Sequence, residues 1–219
     1  MELNKIKQLP DLKIISSSES NCLIYKDIIF KIFINENLTE DRIDIINYFI
    51  NNKIDNCPII YDLIYDNDKI VGYSMEYYKK AVSINNINRL KILKEKCLEL
   101  INVYTTLKNN NNICYIDFNR NNVFINNNQI LLLDIDSSLI NNNINEEISI
   151  KLLIEFIISL IYKTYFFENE IYFSIKERLY IRNILCNNIN TIDNLITLIN
   201  DISKKDIKHT LKKIPYKIK

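Results

Sequence analysis

Three side chains between Tyr115 and Asp136 have types and spacing suited to chemistry. Asp117 is followed five positions later by the amide Asn122. A second acid, Asp134, ends the apolar run Leu131-Leu132-Leu133. Phosphoryl transfer asks little covalent work of a protein. It needs a group that orients the attacking hydroxyl and hard oxygen ligands that hold Mg²⁺ on the phosphates. A carboxylate such as Asp117 suits the first task. The oxygens of Asn122 and Asp134, one neutral and one anionic, suit the second.

These residues need elements to present them. Val123–Ile125 and Ile130–Leu133 read as short strands around Asn126-Asn127-Asn128, whose asparagines accept left-handed turn geometry. That hairpin returns Asp134 to the end of the pair where Asn122 stands. Upstream, Leu90, Leu93, Cys97, Ile101, Tyr104 and Leu107 recur at helical spacing, which predicts an amphipathic helix over 88–108. Further helices are expected over about 147–167, 174–187 and 191–203. The first third reads differently. Strands are expected over 12–15, in a hairpin over 22–33, and over 59–65 and 70–77. A helix over about 40–52, capped by Thr39, carries Ile43, Ile46 and Ile50 on one face. A strand-rich third followed by a helical remainder is an α+β chain. Its boundary near 77–82 carries no Gly/Ser linker, which predicts tightly joined parts.

Composition narrows the function classes. Net charge is +1 over 219 residues, so no global field draws the chain to nucleic acid or a membrane. The basic run Lys204 to Lys219 reads as a solvated end. The apolar stretch Ile148 to Phe167 is broken by Lys151, Glu155 and Lys163, as a buried helix would be rather than a membrane span. The one histidine, His209, leaves no material for a histidine triad or a histidine-rich metal site. Cys22, Cys57, Cys97, Cys114 and Cys186 are scattered and form no C-x-x-C pair, as expected of reduced thiols in a cytoplasmic protein. One glycine and abundant Asn and Ile are what AT-rich codons produce, so asparagine is expected where glycine is usual.

The ordered set resembles the protein-kinase-like superfamily. Tyr115-Ile116-Asp117 with Asn122 stands at its H-R-D-x-x-x-x-N loop, and Asp134-Ile135-Asp136 at its D-F-G. Ile28-Ile29-Phe30-Lys31 resembles the V-A-I-K strand. Gly72-Tyr73-Ser74-Met75-Glu76-Tyr77-Tyr78 resembles the last strand of the small lobe running into the hinge. The similarity covers about residues 12–165 and implies a two-lobed fold, with residues 1–78 as an N-lobe and 79–219 as a helical C-lobe. It implies that ATP binds in a cleft between the lobes. Lys31 would contact its phosphates, with the Ser16–Asn21 turn, Ser16 and Ser18 included, nearby. The backbones of Glu76 and Tyr78 would meet the adenine edge. Leu23 and Ile29 would roof the base, and Phe124 would floor it. Asp117 would be catalytic, and Asn122 and Asp134 would hold Mg²⁺. An acid on the helix after Lys31 would pair with that lysine, from among Glu40, Asp41 and Asp44, with Asp44 preferred because it borders the apolar face.

The departures bear on activity. The turn expected over the phosphates contains no glycine, so close backbone approach is harder. Ile116 replaces the usual arginine, Asn119 the usual lysine, and Asp136 the usual glycine. An aspartate at that last place is familiar in aminoglycoside- and choline-kinase-like relatives. The expected activity is transfer of the ATP γ-phosphate to a protein Ser/Thr or small-molecule hydroxyl. Two alternatives stand beside it. One is a pseudokinase that binds nucleotide or another protein. The other is an all-α interaction protein in which 115–136 is coincidence.

Overall fold

The computed structural model describes residues 1–34, 37–168 and 189–202, with residues 165–168 described by their backbone alone. The elements begin with α1 (Leu3–Lys7), β1 (Lys13–Ser16), β2 (Ser20–Tyr25), β3 (Ile28–Phe33), α2 (Glu40–Asn51), β4 (Ile60–Asp66) and β5 (Lys69–Glu76). They continue with β6 (Val82–Ser83), α3 (Leu90–Asn111), β7 (Ile113–Cys114), β8 (Val123–Asn126), β9 (Gln129–Leu132) and β10 (Leu139–Ile140). Helices α4 (Asn143–Glu168) and α5 (Ile192–Asp201) complete the described chain. The protein is therefore α+β, and its antiparallel sheet excludes the all-α alternative. The helix expected over 174–187, the basic tail and His209 lie outside the described residues.

Two compact units form. The first joins Met1–Ala81 with Phe124–Leu139; the second joins Val82–Val123 with the described residues from Ile140 onward. The return of 124–139 to the first unit is invisible in the linear order of the elements.

The first unit is built on a five-stranded sheet in the order β1-β2-β3-β5-β4, antiparallel throughout. Strand side chains alternate between faces. On one face Leu23 and Phe30 join Leu3 and Ile6 of α1 and Ile64 in an apolar cluster. The other face carries Cys22, Ile24, Ile29, Lys31, Tyr73 and Met75, because Cys22 pairs with Lys31, Ile24 with Ile29, Lys31 with Tyr73 and Ile29 with Met75. Helix α2 packs against β4 and against a 3-10 turn at Ile135–Ser137. Thr39 caps it by accepting from the Arg42 N–H. Its fully buried residues are Ile45, Ile46 and Phe49, with Ile43 and Ile50 half-buried, so the apolar face is rotated from the expected one. Asn56 ties β9 to the unit: its side-chain amide donates to the Ile130 carbonyl at 2.7 Å, and its carbonyl accepts from the Leu132 N–H at 2.8 Å.

Asparagine and aspartate do the work of glycine. Asn67 and Asp68 between β4 and β5, and Asn127 and Asn128 between β8 and β9, all have positive φ, between 48° and 64°. Consecutive left-handed residues are the mark of a tight hairpin turn, and short Asx side chains tolerate that geometry best after glycine. The single glycine serves a different need. Gly72 on β5 faces β3, and a Cβ there would lie 2.0 Å from the Lys31 carbonyl oxygen.

In the second unit α3, α4 and α5 pack together around Leu93, Cys97, Leu100, Tyr104, Ile157 and Leu195, none of them exposed. Helix α3 ends where Asn112 turns left-handed (φ 56°). Helix α4 starts four residues earlier than its apolar pattern suggested, because Asn142 accepts from the Asn145 N–H at 2.9 Å and caps it. Lys94 donates to the Asn200 and Ile202 carbonyls, both at 3.0 Å, at the C-terminal end of α5. Among the described residues, no helix is long and apolar enough to cross a membrane.

Candidate functional site

In the first unit Asp134 and Asp136 converge on Lys31. Strand β3 points its side chain to the face away from α1, where it is 4% exposed. The Nζ donates to Asp134 Oδ1 at 2.6 Å and to Asp136 Oδ1 at 2.9 Å. The rings of Phe33 and Tyr73 stand 5.1 and 5.8 Å from it. Burial disfavours the ammonium, but the two carboxylates outweigh that and raise the Lys31 pKa above its usual 10.5. Tyr73 Oη donates to the same Asp136 oxygen at 2.6 Å. Burial and then that carboxylate hold the phenol well above its usual range.

The two acids differ. Asp136 is fully buried, and among the described residues its Oδ2 has no hydrogen-bond partner. Arg42 of α2 reaches toward that oxygen, with Nη1 at 4.0 Å. Asp134 leaves 37% of its side chain exposed and sits in left-handed backbone (φ 56°, ψ 40°). That conformation is tolerated by aspartate and is common where strain serves a site.

The helix acid expected to pair with Lys31 is corrected. Glu40, Asp41 and Asp44 are all exposed. The group α2 brings toward the cluster is the cation Arg42, whose guanidinium also bonds Glu19 and the Asn37 carbonyl. Each of these acids lies one or two residues from Arg42, about 100° or 200° around the helix from its direction, and the apolar pattern alone did not set the rotation.

The roof is corrected as well. Leu23 faces the α1 cluster, opposite Lys31. The β2 residue that shares the Lys31 face is Ile24, which pairs with Ile29. A one-residue error in strand phase moves a side chain to the other face. Phe124 is half-buried on β8. The Glu76 N–H donates to the Ile59 carbonyl at 2.9 Å, and the Tyr78 carbonyl accepts from the Ala81 N–H at 3.0 Å. The Tyr78 hydroxyl accepts from the Ile59 N–H at 3.3 Å.

Ser16 and Ser18 are exposed around the β1–β2 turn, but Ser17 organises it. Its hydroxyl accepts from the N–H groups of Glu19 and Ser20 and donates to the Ser20 carbonyl. The Ser17 N–H donates to that same carbonyl at 2.9 Å.

In the second unit the loop after β7 forms a compact amide cage. Asn119 donates to Asp117 Oδ1, and Asn122 donates to Asp117 Oδ2 at 2.6 Å. Tyr115 Oη donates to the Asp117 carbonyl at 3.1 Å. Phe118 anchors the loop among Tyr104, Tyr115 and Phe156, at centroid distances of 5.9, 4.8 and 6.3 Å. Asn122 is buried, and an amide that donates through nitrogen presents its oxygen as the electron-rich end.

A cavity of about 290 Å³ borders this cage, lined by Phe118, Asn119 and Arg120 from the loop and by Glu155, Phe156 and Lys163 from α4. Arg120 itself is exposed. Burial and then the Arg120 charge lower the Lys163 pKa, and its Nζ donates to the Asn85 carbonyl at 2.9 Å.

Hard oxygen donors suit Mg²⁺, which keeps several waters and shares carboxylates with phosphate. Among the described residues, no cluster of three or more His, Cys, Asp or Glu is placed to hold a metal by itself.

Sequence reasoning missed Tyr73 and Arg42 and left Asp136 open. Tyr73 had one signal, its place directly after the only glycine of the chain. No family model matches this chain, and no curated protein matches it.

Proposed function

We propose that this chain is an ATP- and Mg²⁺-dependent phosphotransferase of the protein-kinase-like superfamily. The observation that carries the reading is the pairing of Lys31 with Asp134. The two stand 103 residues apart, and motif order in the sequence singles out both. In this reading Lys31 contacts the α- and β-phosphates, and Asn122 and Asp134 hold Mg²⁺. When bound, the ion neutralises charge on the phosphates. Asp117, with both oxygens held by asparagine amides, orients the acceptor hydroxyl and takes its proton. The cavity beside Asn119 is where the acceptor would enter. Its two cations and aromatic floor suit a compact hydroxyl compound or a Ser/Thr side chain.

The test is calorimetric binding of Mg·ATP together with γ-phosphate release or transfer. Wild type binds and turns over. Asp134→Asn loses Mg-dependent affinity, whereas Asp117→Asn keeps affinity and loses turnover by about 10²–10⁴-fold. If wild type and both variants bind and turn over alike, the assignment fails.

A second reading, a pseudokinase, is favoured by the Ser17 turn. Amides that would cradle phosphate are already spent on Ser17 Oγ and the Ser20 carbonyl. Binding of Mg·ATP without transfer to any hydroxyl acceptor, water included, would select it.

A further inference from the structure

We propose that Asp136 and Tyr73 act together as the positioning pair that aims the Lys31 ammonium, while Asp134 is the carboxylate that a bound ligand takes over. The proposal rests on the phosphotransferase reading for the ligand's identity and on geometry for the division of labour.

Both acids bond Lys31, at 2.6 and 2.9 Å, so distance alone does not separate them. Their surroundings do. Asp136 has no exposed surface, and Tyr73, itself fully buried, bonds the oxygen that receives Lys31. Releasing Lys31 from Asp136 would leave a fully buried carboxylate with one phenol and only the more distant Arg42, at 4.0 Å, which is strongly disfavoured. Asp134 can exchange Lys31 for water or a metal ion at its exposed edge. A phosphate oxygen arriving at Lys31 therefore displaces Asp134 and leaves the Asp136 bond intact.

The rings of Phe33 and Tyr73 also stand against the ammonium, at 5.1 and 5.8 Å. The acids of α2 are exposed, which leaves the anchoring role to Asp136. Arg42 contributes at longer range, because its guanidinium stands 4.0 Å from the Asp136 oxygen that lacks a hydrogen-bond partner among the described residues. Gly72 fits the same purpose: only a residue without a Cβ lets β5 lie against β3 where Lys31 and Tyr73 stand opposite each other.

The test is a double-mutant cycle on Mg·ATP affinity with full-length protein, with folding checked by circular dichroism. Asp136→Asn is expected to weaken binding by about 10- to 100-fold, the usual loss when a group that orients a ligand-binding side chain is removed. Tyr73→Phe should weaken it less. In a Lys31→Met background neither change should cost anything further, because the aimed group is gone. Full additivity with Lys31→Met, or unchanged affinity in Asp136→Asn, overturns the proposal. Should Asp136→Asn fail to fold, Tyr73→Phe carries the same cycle with the same two outcomes.

A ligand-free readout separates this inference from the reading it rests on. A lysine ammonium held by buried acceptors exchanges its protons slowly enough to give a ¹H–¹⁵N cross-peak. The Lys31 peak is expected in wild type and in Asp134→Asn, and its loss is expected in Tyr73→Phe or Asp136→Asn. If wild type binds no Mg·ATP, the phosphotransferase reading falls while this pattern still decides the anchor. Loss of the peak in Asp134→Asn with retention in the other two would sink it.

Discussion

The Lys31 cluster and the Asp117 cage place acids in opposite ways. In the first, partners lie 63 to 105 residues apart in sequence, and Lys31, Tyr73 and Asp136 are all buried. In the second, both carboxylate oxygens are held by amides two and five residues away, in a half-buried loop. The long-range cluster exists only when the sheet, α2 and the 134–136 turn are all in place. The cage is mostly a property of one octapeptide and of Phe118 beneath it. A buried charged network should therefore carry stability, and a local amide cage should carry geometry.

The largest expected effect comes from Lys31→Ala, which leaves Asp136 buried without its cation. Breaking a buried pair from one side costs about 3–5 kcal/mol, and urea unfolding would show it. A loss below about 1 kcal/mol, the scale of an exposed pair, would mean that Lys31 and Asp136 are not held as a buried pair.

Next in size is Gly72→Ala. Its Cβ would meet backbone, not a side chain that can swing aside. Overpacking of this kind costs about 1–3 kcal/mol or more, and β3 must shift at Lys31. A neutral thermal melt would show that the two strands separate easily.

The cage should respond more weakly. Asn119→Ala removes one amide from Asp117 and is expected to cost about 1 kcal/mol. Destabilisation as large as that of Lys31→Ala would erase the contrast between the two regions.

The effect of pH sharpens the contrast further. Lys31 and Tyr73 are both raised above their usual 10.5 and 10.0. Each holds its proton more tightly folded than unfolded. The stability they contribute is complete below those unfolded values and is lost as pH climbs past them. Burial likewise pushes the Cys57 and Cys97 thiols up to about 12, which adds to the same trend. The expected outcome is a Tm that falls above about pH 10, with a shallower fall in Tyr73→Phe. An unchanged alkaline limb in that variant would mean the phenol is not held as described.

Much of this arrangement was legible from local pattern. Alternation located the strands, Thr39 announced its helix, and the Asn67-Asp68 and Asn127-Asn128 pairs form hairpin turns through left-handed geometry. The D-x-x-x-x-N spacing of Asp117 and Asn122 is itself the cage, because both partners of the acid lie within one turn of chain. What sequence could not decide was phase and partner. Leu23 and Ile24 are equally apolar, and only strand register settles which one shares the face of Lys31. Asp44 and Arg42 sit two residues apart on α2, and only helix rotation settles which approaches the site. Asp136 as the anchor of Lys31 depends on a chain that travels 105 residues before returning to the same sheet face. No local propensity encodes that return. It is decided by the summed burial of β3, β5, α2 and the Ile135–Ser137 turn, which is a property of the folded packing alone.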